Sequence, residues 1–127
     1  MASITNAATG AGYPYPCTFT FEYNAEARDN NRHIISWNVK ATGGANNYYQ
    51  YYWNGQAQYK ASWEGDSGWR SVWGSAASGS AWNGQQLASG SFEWWHTDAL
   101  TLNMRIGGGY GSSSAYSEKW GDLYLAA

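Results

Sequence analysis

Leu100-Thr101-Leu102-Asn103-Met104-Arg105-Ile106 decides the fold. Apolar residues alternate with Thr, Asn and Arg without a break. Successive side chains of a strand point to opposite faces of its sheet. The segment is therefore a strand with one dry and one wet face, the pattern of an antiparallel sheet packed on one side only.

The same alternation recurs outward in both directions. Cys17, Phe19, Phe21 and Tyr23 alternate with Thr18, Thr20 and Glu22, and Ile35, Trp37 and Val39 with Ser36, Asn38 and Lys40. Gln85–Trp95 reads as a strand with Gly90 as a candidate bulge, and Tyr116–Leu125 closes the domain with Leu123 and Leu125 facing one way. Trp69–Trp73 is a short strand. Polar or Gly/Ser/Ala-rich stretches at 24–31, 74–84 and 107–114 read as loops. Only Glu26-Ala27-Arg28 could hide a helical turn. Residues 1–16 carry Tyr13-Pro14-Tyr15-Pro16 and read as an extended arm, leaving 17–127 as the domain. The expected fold is all-β: a single antiparallel sandwich, immunoglobulin-like or jelly-roll-like, of seven to eight short strands.

Composition narrows the class. The 127 residues suffice for one core. Aromatics reach 18%, with nine Trp and eleven Tyr, while charged residues are only 13%. Leu, Ile and Val total eleven, too few to fill the core, so Trp and Tyr have to pack inside. A net charge of −2 argues against non-specific binding to nucleic acid or an anionic membrane surface. No apolar run approaches the length of a membrane span. Met1–Asn6 has no leader-like pattern. The single Cys17 reads as a buried free thiol and excludes an internal disulfide, which fits folding in a cytosol.

Asn54-Gly55, between two alternating stretches, is the strongest short-range hairpin signal in the chain. A two-residue turn there sets Trp53 across from Gln56. One face of the hairpin then carries Tyr49, Tyr51 and Trp53 beside Gln56, Gln58 and Lys60. Lys and Gln are rarely buried, so this face is expected to be wet. A row of flat rings beside amides suits a saccharide, the rings taking its C–H faces and the amides its hydroxyls. Trp69, Trp73 and Trp82 flank the Gly/Ser/Ala stretch and join Tyr49, Tyr51, Trp53, Gln58 and Lys60 as candidate ligand contacts. Coverage of the stripe by other strands or by a partner subunit is the competing expectation.

Catalytic chemistry finds less support. His33 and His96 have no metal-like spacing and read as hydrogen-bonded structural residues. Asp66-Ser67-Gly68 lacks the repeated carboxylates of a calcium loop, and no phosphate loop or nucleophile elbow is present. No cofactor is expected. Tyr48–Trp73 has the flavour of the family-eleven-type xylanases, Trp- and Tyr-rich sandwiches working through paired carboxylates. Glu22, Glu64, Glu93 and Glu118 are available, but none stands in the strand motif of those longer enzymes.

Another likeness covers residues 17–125. Asn30-Asn31-Arg32-His33-Ile34-Ile35-Ser36-Trp37, Gly90–Leu102 with its His96-Thr97-Asp98 turn, and Asp122-Leu123-Tyr124-Leu125 resemble the strand-and-turn pattern of β-sandwich modules in bacteriophage tail and other virion proteins, known mainly from siphoviruses. The resemblance implies that His96 and Asp98 stabilise a turn. It also implies a non-catalytic virion module, made in the host cytoplasm and released by lysis, with other virion subunits or its own copies as partners. The family implies host-surface binding in some members, with cell-surface glycan as the candidate ligand of the aromatic stripe. A free-standing lectin and a small glycoside hydrolase are the alternatives.

Overall fold

The computed structural model describes residues 2–8, 17–42, 48–82, 85–110 and 117–127; the side chains of 6–8, 17–18, 41–42, 48–55, 75–82, 85, 108–110 and 117 fall outside that description. Eight strands form two four-stranded antiparallel sheets, an all-β sandwich. The strands are β1 (Ala2–Ala8), β2 (Cys17–Arg28), β3 (Arg32–Thr42), β4 (Tyr48–Ala61), β5 (Arg70–Trp82), β6 (Gln85–Trp95), β7 (Leu100–Tyr110) and β8 (Ser117–Leu125). One sheet runs β1-β2-β3-β6 and the other β5-β4-β7-β8. No helix among the described residues is long and apolar enough to cross a membrane.

The alternation of β7 is used as read. Leu102, Met104 and Ile106 are fully buried, against Phe19, Phe21 and Tyr23 of β2 and Ile35 and Val39 of β3. The centre of the core is Phe, Tyr and aliphatic. The described tryptophans that reach it, Trp37, Trp73 and Trp94, pack half-buried around its rim. Two glycines let large side chains into this layer. A Cβ on Gly90 would stand 2.9 Å from the Trp37 indole, and one on Gly121 2.6 Å from the Tyr23 hydroxyl. Gly90 therefore marks a close approach, while the bulge falls beside it at Leu87, where Val39 pairs with Ala88 and Lys40 with Gln86.

Several expected loops are strand. β2 continues to Arg28, so Glu26-Ala27-Arg28 is extended. The turn shrinks to Asp29-Asn30-Asn31, with Asn30 and Asn31 at φ 65° and 57°, a conformation Asn tolerates better than most residues. Ala2–Ala8, within the expected arm, pairs with β2 and buries Ile4. Residues 107–110 extend β7, and 74–82 extend β5.

The largest correction is at Asn54-Gly55. No hairpin forms there; both residues lie inside β4. Asn54 pairs with Ala76 on one side and Gly109 on the other, and Gly55 with Ser75 and Gly108. The turn signal is local, whereas β4 is an inner strand with a ladder on each side, and two ladders of hydrogen bonds outweigh a two-residue preference. Both neighbours offer small residues at this level. The Gly/Ser/Ala stretch read as a loop is one of them, which is why it lacks an apolar period. The chain reverses instead through a 3-10 turn, Ser62–Ser67, where Glu64 accepts the Ala61 backbone N–H at 2.8 Å. Odd- and even-numbered residues of one unbroken strand belong to opposite faces. The register therefore does not join Tyr49, Tyr51 and Trp53 to Gln58 and Lys60; the side chains of those three aromatics, and of Trp82, lie outside the described residues.

Candidate functional site

The outer face of the β5-β4-β7-β8 sheet gathers a polar and aromatic cluster. The register builds it in two rungs. Lys60 of β4 faces Asn103 of β7, which faces Asp122 of β8. One step along, Gln58 faces Arg105, which faces Trp120. Each of these residues alternates with a core residue: Gln58 and Lys60 with Ala57 and Ala61, Asn103 and Arg105 with Leu102, Met104 and Ile106. The core thus sets the direction of the site.

The first rung is a hydrogen-bonded relay. Lys60 Nζ donates to Asn103 Oδ1 at 2.9 Å, and Asn103 Nδ2 donates to Asp122 Oδ1 at 2.9 Å. Lys60 is only 6% exposed, so its ammonium needs this acceptor. Asn103 uses both ends of its amide and transmits the compensation from Asp122 to Lys60. In the second rung Arg105 Nε donates to Gln58 Oε1.

Trp69 closes over both rungs. The Arg105 guanidinium carbon is 4.0 Å from its ring centroid and Lys60 Nζ 5.3 Å. Trp120 meets Trp69 edge to face at 5.0 Å and carries Arg105 at 5.5 Å. These distances lie within cation–π range, where each contact contributes about 0.5–2 kcal/mol according to desolvation. Trp120 is 57% exposed, and Tyr124, four residues along β8 on the same face, is 65% exposed. Their backbone positions are about 13 Å apart at ~3.3 Å per residue. Beyond the two rungs, Gln58 Nε2, the Arg105 Nη groups and Asp122 Oδ2 have no partner among the described residues.

A bulge explains why two expected site residues part company. Ala57 pairs with Trp73 and Gln58 with Ser71, so Val72 is an extra residue in β5. Without it Trp69 and Trp73 would share a face. With it Trp69 covers the outer cluster, while Trp73 turns inward, 6.2 Å from Phe19. The structure thus joins Gln58, Lys60 and Trp69 and sets Trp73 apart. Asn103, Arg105, Trp120, Asp122 and Tyr124 were not among the expected site residues. Their outward parity is legible in the alternation of β7 and β8, but the pairing of those strands with β4 is not.

Several other ionisable groups are tied into the scaffold. Arg70 forks onto Glu64, Nη1 to Oε1 at 2.7 Å and Nη2 to Oε2 at 2.8 Å, over the rings of Tyr59 and Trp94. The Arg70 bond, then the Ala61 N–H, hold the Glu64 carboxyl below its ordinary range. Glu22 pairs with Lys40 at 3.0 Å and Glu93 with Arg32 at 3.1 Å. His33 Nδ1 and His96 Nε2 are 2.7 Å apart in stacked rings, and His96 Nδ1 meets the Asp98 carbonyl at 2.8 Å. That carbonyl only accepts, so Nδ1 of His96 carries the proton and Nε2 of neutral His96 accepts from His33. Trp63 and Trp95, 74% and 60% exposed, border a cleft of about 360 Å³ at the end of the sandwich with Thr97 and Asp98. Among the described residues no three His, Cys, Asp or Glu gather as a metal-ligand set. Comparison with protein-family models, curated proteins and solved structures found no match to this chain.

Proposed function

We propose that this chain is a non-catalytic carbohydrate-binding β-sandwich that holds sugar on the outer face of the β5-β4-β7-β8 sheet. The observation that carries the reading is the exposed indole of Trp120, fixed edge-on by Trp69, beside two rungs of hydrogen-bonded polar side chains. A sugar stacks its C–H face on such a ring. The Nε2 of Gln58, the Nη groups of Arg105 and the Oδ2 of Asp122, which the two rungs leave open, supply donors and an acceptor for its hydroxyls. Tyr124 extends the aromatic row to a second ring. The framework is in place before binding, because the relay and the cation–π contacts hold these side chains in the free protein, which lowers the ordering cost of binding.

The disposition of three of the four candidate glutamates supports the non-catalytic part. A glycosidase needs one carboxyl with a raised pKa as proton donor. Glu64 is shifted the opposite way, and Glu22 and Glu93 each hold a cation. A virion module remains the setting we propose, on the likeness of the strand-and-turn pattern; its exposed Trp63 and Trp95 are then surface for neighbouring subunits.

Titration of indole fluorescence against a panel of soluble polysaccharides and cell-wall fragments tests the reading. A saturable shift with one glycan class, lost in Trp120→Ala and in Trp69→Ala while the fold persists, is the expected result. Silence across the panel would sink it.

A further inference from the structure

Resting on that reading, we infer that the outer face is built for an acidic sugar, and that Arg105 receives the sugar's carboxylate. The molecule contains its own template for the contact. Arg70 lies over two rings, Tyr59 and Trp94, and directs both Nη groups onto the carboxylate of Glu64. Arg105 also lies over two rings, Trp69 and Trp120, and its Nε is anchored to Gln58. Its Nη edge, however, meets no acceptor among the described residues. Orientation and stacking are provided, and a carboxylate is what Arg105's own rung lacks.

Charge bears out the same gap. Lys60 shares its rung with Asp122 through Asn103, so that cation is compensated through a neutral relay. Arg105 shares its rung with Gln58 and Trp120, both uncharged. Glu118 lies two residues from Trp120 on the same face of β8 and makes no ion pair with Arg105. A guanidinium is planar and presents parallel N–H donors that match a carboxylate's two oxygens. The neighbouring Trp120 takes the ring that carries it. The ligand class is therefore a sugar acid: a hexuronate or a sialate.

The experiment is a calorimetric titration of the full chain with oligogalacturonate, glucuronate-containing oligosaccharide and sialyllactose. Each is paired with its methyl ester or neutral counterpart, and sodium acetate is a separate arm. One acid should bind at least about tenfold more tightly than its uncharged partner, the usual difference for a hydrogen-bonded charge pair. Arg105→Gln should remove that preference and leave the weaker binding of the neutral sugar. Arg105→Lys, which keeps the charge without the fork, should lose most of the preference. It also serves as the test should Arg105→Gln fail to fold. Equal binding of acid and ester, or an acid preference that survives in Arg105→Gln, overturns the inference and leaves the sugar platform standing. Acetate binding as tightly as the sugar acids overturns the sugar part of the class. No binding by any sugar, charged or neutral, removes the platform as well.

Discussion

Arg70 and Arg105 begin alike and end differently. Each belongs to the β5-β4-β7-β8 sheet and sets its guanidinium over two aromatic rings. Arg70 stands exposed at the sandwich edge, over Trp94 of the opposite sheet and over Tyr59, which stacks on Phe92 at a centroid distance of 3.9 Å. Its charge is closed off by Glu64. Arg105 faces outward, over Trp69 and the exposed Trp120, and a neutral glutamine holds it. The same stacking motif serves cohesion in one place and leaves a binding edge in the other. What separates them is the presence of a carboxylate within reach and the burial of the rings beneath.

The largest effect should come from removing a ring on each side. Tyr59→Ala opens the inter-sheet aromatic layer and should cost about 3 kcal/mol in urea unfolding. Trp120→Ala, on the outer face, should cost under about 1 kcal/mol and yet abolish sugar binding. Equal losses of stability would break the distinction between a structural and a receptive arginine. Asn103→Ala comes next. It leaves the buried ammonium of Lys60 without its acceptor, which should cost about 1–3 kcal/mol. A negligible cost would mean that the relay does not hold the first rung.

The sequence makes much of this face readable but not its assembly. The period of two in Leu100–Ile106 predicts both the buried Leu102, Met104 and Ile106 and the outward Asn103 and Arg105. Leu123 and Leu125 likewise imply that Trp120, Asp122 and Tyr124 point away from the core. Which outward rows become neighbours depends on long-range register, and no local pattern states that β4 lies between β5 and β7. Asn54-Gly55 misleads for the same reason: its turn preference is intrinsic, while the ladders that overrule it come from residues about twenty and fifty positions away. The Gly/Ser/Ala stretch of β5 carries no period, and the face change at Val72 is a bulge that composition does not announce. Arg105 itself looks like an ordinary solvent-facing strand residue until Gln58, Trp69 and Trp120 surround it.

Acid titration sharpens the comparison at smaller amplitude. Glu64 has a folded pKa below its ordinary 4.5, because Arg70 and the Ala61 N–H favour the charged form. Its contribution is therefore complete above about pH 4.5 and is lost as pH falls through the folded value. Glu64→Gln should lower the melting temperature at neutral pH, and the gap to the unmodified protein should close in acid. Arg105→Gln should give a small gap that is flat over the same range. Parallel curves for the two variants would show that Arg70 gains nothing from its carboxylate.

The smallest effect comes from His33, and it separates binding from folding. Burial first, then the charge of His96, push His33 below its ordinary 6.5. The unfolded chain thus takes up a proton near pH 6.5 that the folded one resists. Stability is full above that pH and declines as pH falls towards the folded value. A second proton on the pair would also break the His33–His96 bond, which ties the start of β3 to the turn after β6. Arg28, Asp29 and Arg32 border the same hollow, and Glu93 and Asp29 pair with Arg32. His33→Gln should flatten the melting temperature between neutral and mildly acidic pH. Over that interval sugar-acid binding should stay constant in both proteins, because neither histidine belongs to the outer-face cluster. Affinity that falls with pH in the unmodified protein, and not in His33→Gln, would mean that the outer face is set by the histidine pair at the end of the sandwich. The contrast between the two arginines would then reach beyond their immediate partners.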